Sequence, residues 1–150
     1  MISITVSDEK FLRFFISRLR LNKTNRYEVE FPYISLCGKE KNYVRCDDLP
    51  IVFTKFVSTK PHDLLIYNHC GKKMTVLFQP SKLFMGSNGR IYHPGPQQLH
   101  SVGLVSSDLA IEFSQGFQFD EHGIPVHFKH QDEIHKLDFS LRDILQTLGI

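Results

Sequence analysis

The chain has 150 residues, 41% of them apolar and 23% charged, with 18 Lys and Arg against 16 Asp and Glu for a net charge of +2. That length suits one domain with a core of its own, and 13 phenylalanines beside so small a net charge exclude disorder as the main state. The charge balance points to neither a nucleic acid nor a membrane, no apolar run approaches the ~18 residues of a membrane helix, and an odd number of cysteines argues against a disulfide scaffold.

Ser7 is placed to cap a first helix, with Asp8 and Glu9 in its first turn. Phe11, Phe14, Phe15, Ile16 and Leu19 recur at helical spacing, and Lys10, Arg13, Ser17 and Arg20 fall on another face. Residues 8–21 are therefore expected to form an amphipathic helix with a basic outer side, burying Phe11, Phe14, Phe15 and Leu19. After a turn at Asn22–Asn25 the period switches to two. Tyr27, Val29 and Phe31 alternate with Glu28 and Glu30, a half-buried strand that Pro32 ends or places at an edge. Cys37–Glu40 reads as a turn, Asn42–Cys46 as a strand, Asp47–Pro50 as a turn and Ile51–Val57 as a strand. Leu64–Tyr67 and Met74–Phe78 flank Asn68-His69-Cys70-Gly71 as a hairpin.

Pro80–Gly89 reads as irregular, and Arg90–His93 as a short strand stopped by Pro94-Gly95-Pro96. Ser106 or Ser107 caps a second helix with Leu109, Ala110 and Phe113 inward. Ile124, Val126 and Phe128 alternate as a strand, and Ile134–Phe139 follows a turn at Lys129–Asp132. Ser140 with Asp143 is expected to form a capping box for a last helix carrying Leu141, Ile144, Leu145 and Leu148. The fold expected is α+β: an antiparallel sheet of several short strands with two main helices and a short C-terminal helix. One arrangement recurs, a helix, a turn and a strand, at Asp8–Phe31 and Ser107–Phe128. Phe11, Phe15 and Leu19 lie over Leu109, Phe113 and Phe117, as an internal duplication would place them.

The segments FFISRLR, NRYEVEFPYIS, CGKEKNYVRCDD and LPIVFT, followed by NGRIYHP and VGLVSSDLA, span most of the chain. Together they resemble the uncharacterised protein family 0598, also called domain of unknown function 4505. The resemblance implies no activity, since that family has none established. It also implies that an aromatic-rich segment ahead of the first helix is missing from residues 1–150. More faintly, the first helix and strand resemble domain of unknown function 1285, whose fold is built from repeated helix–sheet units.

Several constellations bear on chemistry. Cys37, Cys46, His69 and Cys70 are potential metal ligands, but they lack the close-pair spacing of a structural site, and no metal is expected. There is no phosphate-binding loop and no dinucleotide fingerprint, so no cofactor is expected. Cys37 sits in a turn with Lys39 and Lys41 that would favour a thiolate. Arg45 shares a strand face with Tyr43 and, if buried, needs a carboxylate such as Asp47. In the strand after Asn88-Gly89, Ile91 and His93 share one face and Arg90 and Tyr92 the other. That arrangement would set His93 in a cleft, titrating near neutral pH, and make Arg90 and Tyr92 a donor pair suited to a carboxylate or phosphate.

These residues support three functions. The first is a non-enzymatic binding or interaction module using the loops at Cys37–Lys41, Asn88–His93 and around Arg18, with an unidentified protein or a small anionic ligand as partner. The second is an enzyme acting on a small anionic substrate through Cys37 or His93, with Arg45 or Arg90 holding the anion. The third, less favoured, is an RNA-associated protein using the basic first helix: Lys10, Arg13, Arg18, Arg20, Lys23 and Arg26 cluster there with Tyr27, Tyr33 and Tyr43 nearby. The expected location is a reducing compartment, cytoplasm or mitochondrial matrix, with no membrane partner.

Overall fold

A computed structural model describes residues 9–46 and 48–150. The fold is α+β and mostly sheet, with three helices and three sheets of which two are antiparallel and the largest is mixed. Ser7, Asp8 and Asp47, named above as a cap, a first-turn acid and a carboxylate partner, lie outside the described residues.

The first helix, α1, spans Glu9–Ser17 and is shorter than its periodicity suggests. The chain leaves it through Arg18, whose N–H bonds back to Phe14 and Phe15 carbonyls, and enters the strand β1, Leu19–Leu21. Leu19 is buried as expected, but from a strand. Phe15 is 3% exposed, whereas Phe11 and Phe14 are 46% and 43% exposed, so the buried stripe of α1 is narrower than the sequence implies.

The strand expected over Tyr27–Phe31 is instead a loop. Asn22 organises it: its side-chain N–H groups donate to the carbonyls of Arg26 and Phe31, at 2.9 Å each. Asn25 and Tyr27 take left-handed backbone conformations, which no ladder accommodates. Val29, on the apolar side of the expected strand, is 93% exposed. The strand β2 begins only after Pro32, at Tyr33–Cys37, and turns at Gly38, whose φ of 64° suits a residue without Cβ, into β3, Glu40–Val44. β1, β2 and β3 form an antiparallel meander.

The large sheet has β4 (Val52–Val57), β5 (Leu64–Tyr67), β6 (Thr75–Leu77), β7 (Phe84–Met85), β8 (Ile91–Pro94) and β9 (Val102–Val105), in the order β6-β5-β4-β9-β8-β7. All its pairs are antiparallel except β4 with β9. β9 is absent from the expectation because Gly103 interrupts an otherwise apolar run. A Cβ at that glycine would stand 2.6 Å from the Phe53 ring, so the side-chain gap is what lets β9 close on β4.

The second helix, α2, spans Ser107–Ser114, and Ser106 is its cap, accepting the Leu109 N–H. A second meander follows: β10 (Phe117–Phe119), β11 (Pro125–His130) and β12 (Glu133–Lys136). The last helix, α3, spans Arg142–Thr147 without the expected capping box; the Ser140 N–H donates instead to Asp138.

Side chains from both meanders, α1, α2 and one face of the large sheet make the main core, which includes Phe15, Phe53, Phe113, Phe117 and Phe128. A smaller cluster of Leu49, Tyr92, Val102, Leu141 and Leu145 lies where α3 covers the other face of β8. The strand β8 is thus buried on both sides, which fixes what its side chains can do.

Candidate functional site

His93 points to the main core and has no exposed surface. Its Nε2 accepts the Gln79 N–H at 2.9 Å, and Nδ1 lies 2.8 Å from the Pro94 carbonyl. The ring stacks on Phe78 and meets Phe53 edge-on. Accepting at Nε2 and donating from Nδ1 is the pattern of a neutral imidazole. Burial pushes its pKa down to about 4, against a smaller opposing effect of the Pro94 carbonyl. The expectation of a cleft histidine titrating near neutrality is corrected: the same alternation that draws Ile91 inward seals His93 in the core.

Tyr92 is likewise fully buried, against α3 rather than on an outer face. Its hydroxyl donates to Asp48 Oδ2 at 2.9 Å. Arg90 Nη1 donates to that same oxygen in a close ion pair. Arg90, just ahead of β8, and Tyr92 within it therefore meet a carboxylate of their own chain. Burial, reinforced by that carboxylate, raises the Tyr92 phenol above its ordinary pKa. Asn88 fixes the approach, its side-chain oxygen accepting the Arg90 N–H at 2.9 Å.

Asp48 is the centre of the site. Its side chain is 7% exposed, while the Arg90 side chain is 52% exposed. Its second oxygen, Oδ1, is buried and has no hydrogen-bond partner among the described residues. Asp48 and Arg90 line a cleft of about 540 Å³ together with Cys46, Leu49, Ile91, Leu104 and Ser107. They also line a neighbouring cleft of about 330 Å³ together with Tyr33 and residues 148–150.

The model of the domain of unknown function DUF4505 matches residues 2–142. The chain belongs to the DUF4505 family. Two solved structures are similar to this DUF4505 chain. One is a DUF1285 family protein from Shewanella baltica OS155, at 18% identity and a TM-score of 0.45, covering 73% of this chain and 79% of the other. The second is a DUF1285 family protein from Silicibacter pomeroyi DSS-3, at 14% identity and a TM-score of 0.47, covering 88% of this chain and 70% of the other.

Of the five residues singled out in the DUF4505 sequence, the structure brings Arg90 and Tyr92 onto one carboxylate and sets His93 on the opposite face of the strand. Cys37 ends β2, packs against the main core and has its sulfur 3.6 Å from the Ser35 hydroxyl, outside the Asp48 contacts. Arg45 is exposed just past β3. The basic helix face is interrupted as well: Arg18 lies beyond α1 with its guanidinium over the Phe14 ring, and Arg20 belongs to β1. Among the described residues, no three His, Cys, Asp or Glu side chains converge as metal ligands, and no helix is long and apolar enough to cross a membrane. Asp48 itself is missed by sequence reasoning, which treats it as a turn residue.

Proposed function

We propose that this DUF4505 protein is a non-enzymatic binding module whose recognition site is the cleft beside Asp48 and Arg90. The observation that carries this reading is Oδ1 of the buried Asp48 carboxylate, which finds no hydrogen-bond partner among the described residues. Leaving such an oxygen unsatisfied costs roughly 1–3 kcal/mol or more, a cost that a bound hydrogen-bond donor removes. The cleft sets Asp48, Arg90 and Ser107 among apolar side chains such as Leu49, Ile91 and Leu104, a mixture that can orient a small ligand. Arg90 commits one nitrogen to Asp48 and keeps other N–H groups for an anion. The ligand class that fits is small and bears both signs: an ammonium, amide or guanidinium for Asp48 and a carboxylate or carbonyl for Arg90. The buried neutral His93 is on the far side of β8, so no imidazole serves this cleft as a base.

A thermal-shift screen of amino acids, short peptides and amines tests the reading. A fitting ligand at a hundred times its Kd stabilises by about 2.7 kcal/mol. Asp48→Asn should remove the shift. Ligands that shift wild type and variant alike, or conversion of a bound ligand to product, overturn the proposal.

We also infer that the two helix–meander units arose by duplication. Support comes from matching hydrogen bonds at the helix exits, Arg18 N–H to the Phe15 carbonyl and Gly116 N–H to the Phe113 carbonyl. Leu19 and Phe117 then open the following strands as buried residues. A family-wide profile in which the halves fail to align at this offset would contradict the inference.

A further inference from the structure

The first meander carries a second face that the Asp48 cleft does not involve: Ile34 at its centre is buried and Tyr43 half-buried, while Leu36 and Lys41 beside them are exposed. Directly paired residues of antiparallel strands share a face, so Arg20, Ile34 and Tyr43 form one row across β1, β2 and β3. Leu36 and Lys41 form the next row on that side. The opposite side, that of Leu19 and Ser35, is the one α1 covers, with the Ser35 hydroxyl donating to the Phe15 carbonyl at 2.7 Å. The loop between β1 and β2 lays further aromatic rings against Tyr43 on that side. Tyr27, half exposed, meets Tyr43 edge-on at 5.4 Å between ring centroids, and Phe31 lies 6.2 Å from Tyr43. Arg26 sits over the Tyr27 ring at 5.0 Å.

Charge follows the same geography. Between Arg18 and Arg45 there are seven Lys and Arg against three Glu, a surplus of +4, so the rest of the chain carries −2 of the total +2. Glu40 pairs with Cys37, on the side of the sheet away from Lys41 and Tyr43. The face is also preorganised. Asn22 is buried and holds the Arg26 and Phe31 carbonyls, and Thr24 in turn donates to the Asn22 oxygen at 2.7 Å. Tyr27 is kept at a φ of 58°, a conformation uncommon for a residue with a side chain.

We propose that the Tyr27–Lys41–Tyr43 face of the first meander binds single-stranded nucleic acid, with Tyr27 and Tyr43 stacking on bases and Arg26 and Lys41 tracking the phosphates. A small sheet with aromatic rings among basic side chains suits that ligand, because every base offers a π-face and the backbone supplies the charge. A duplex hides its base faces, and an acidic protein surface has none, so the tyrosines would be idle against either. The basic first helix is not required.

The test is fluorescence anisotropy of a labelled mixed-sequence oligoribonucleotide of about 12 nucleotides, within the range that single-strand-binding grooves cover. The full chain should bind it at about 50 mM salt and lose affinity steeply with added salt. The matching duplex should bind more weakly. Tyr27→Ala with Tyr43→Ala should weaken binding about tenfold or more at the same salt slope. Lys41→Gln should lower the slope itself by about one. Tyr27→Phe keeps the ring and should bind like wild type, which separates stacking from any effect on the loop. Poly-glutamate should not compete. Absence of binding at low salt, equal affinity for duplex, effective competition by poly-glutamate, or full affinity in the double tyrosine variant would each overturn the proposal.

Discussion

His93 shows how a single strand position decides chemistry. Its imidazole is neutral, hydrogen-bonded at both nitrogens and packed between phenylalanines, with its pKa pushed down from an ordinary 6.5 to about 4 by burial. In the folded protein the proton is therefore refused, while the unfolded chain accepts it below pH 6.5. The stability this burial supports is fully present above the unfolded pKa and is lost as pH falls from about 6.5 toward about 4. The full loss is on the order of 3 kcal/mol. His100, also lowered by burial, adds in the same direction. Asp63, held below the usual carboxylate range by its hydrogen bond to His130, acts only at more acid pH. Urea unfolding at pH 7, 6 and 5 should show stability falling with pH, and His93→Gln should flatten that slope. An unchanged slope in the variant would show that His93 is not the group refusing the proton.

At the scale of elements, α1 separates a buried residue from its neighbour. Phe15 is buried in the main core, while Phe14 carries the Arg18 guanidinium 5.3 Å above its ring. Phe15→Ala should cost about 3–5 kcal/mol, and Phe14→Ala under about 1 kcal/mol. Equal losses in thermal denaturation would show the helix to be rotated from the orientation seen. The same helix shows what the sequence makes legible. Most strands with β-branched and aromatic alternation, such as β4 and β5, stand where their pattern places them, because local pattern and tertiary burial agree there. Tyr27–Phe31 alternates equally well yet forms a loop, since the Asn22 side chain bonds its carbonyls and left-handed residues break any ladder. β9 hides behind Gly103, and its partner β4 lies some fifty positions away in the chain, a separation invisible to local periodicity. The candidate site was legible as a donor pair in Arg90 and Tyr92. Its acceptor was not, because nothing in a stretch reading Asp47-Asp48-Leu49-Pro50 tells that Asp48 meets Arg90 and Tyr92, more than forty positions on.

Across the whole molecule, the large sheet stands between two apolar clusters of unequal size. Ile51 belongs to the main one and is fully buried. Leu145 on α3 belongs to the other and packs with Tyr92 and Val102. Neither residue shares a cluster with the other, and the backbone of the sheet lies between them. Interiors are close-packed and transmit strain through contacts, so substitutions without common partners should act independently. Ile51→Val should cost about 0.5–1.5 kcal/mol and Leu145→Ala about 2–5 kcal/mol. The double variant should lose their sum to within about 0.5 kcal/mol. The chain has no tryptophan and five tyrosines, so tyrosine fluorescence reports urea unfolding directly, with Tyr92 placed between α3 and β8. A coupling well beyond that margin would mean that the sheet passes a packing change from one face to the other. The Asp48 carboxylate, which reaches Tyr92 from the small cluster and Arg90 at the cleft, would be the first connection to probe.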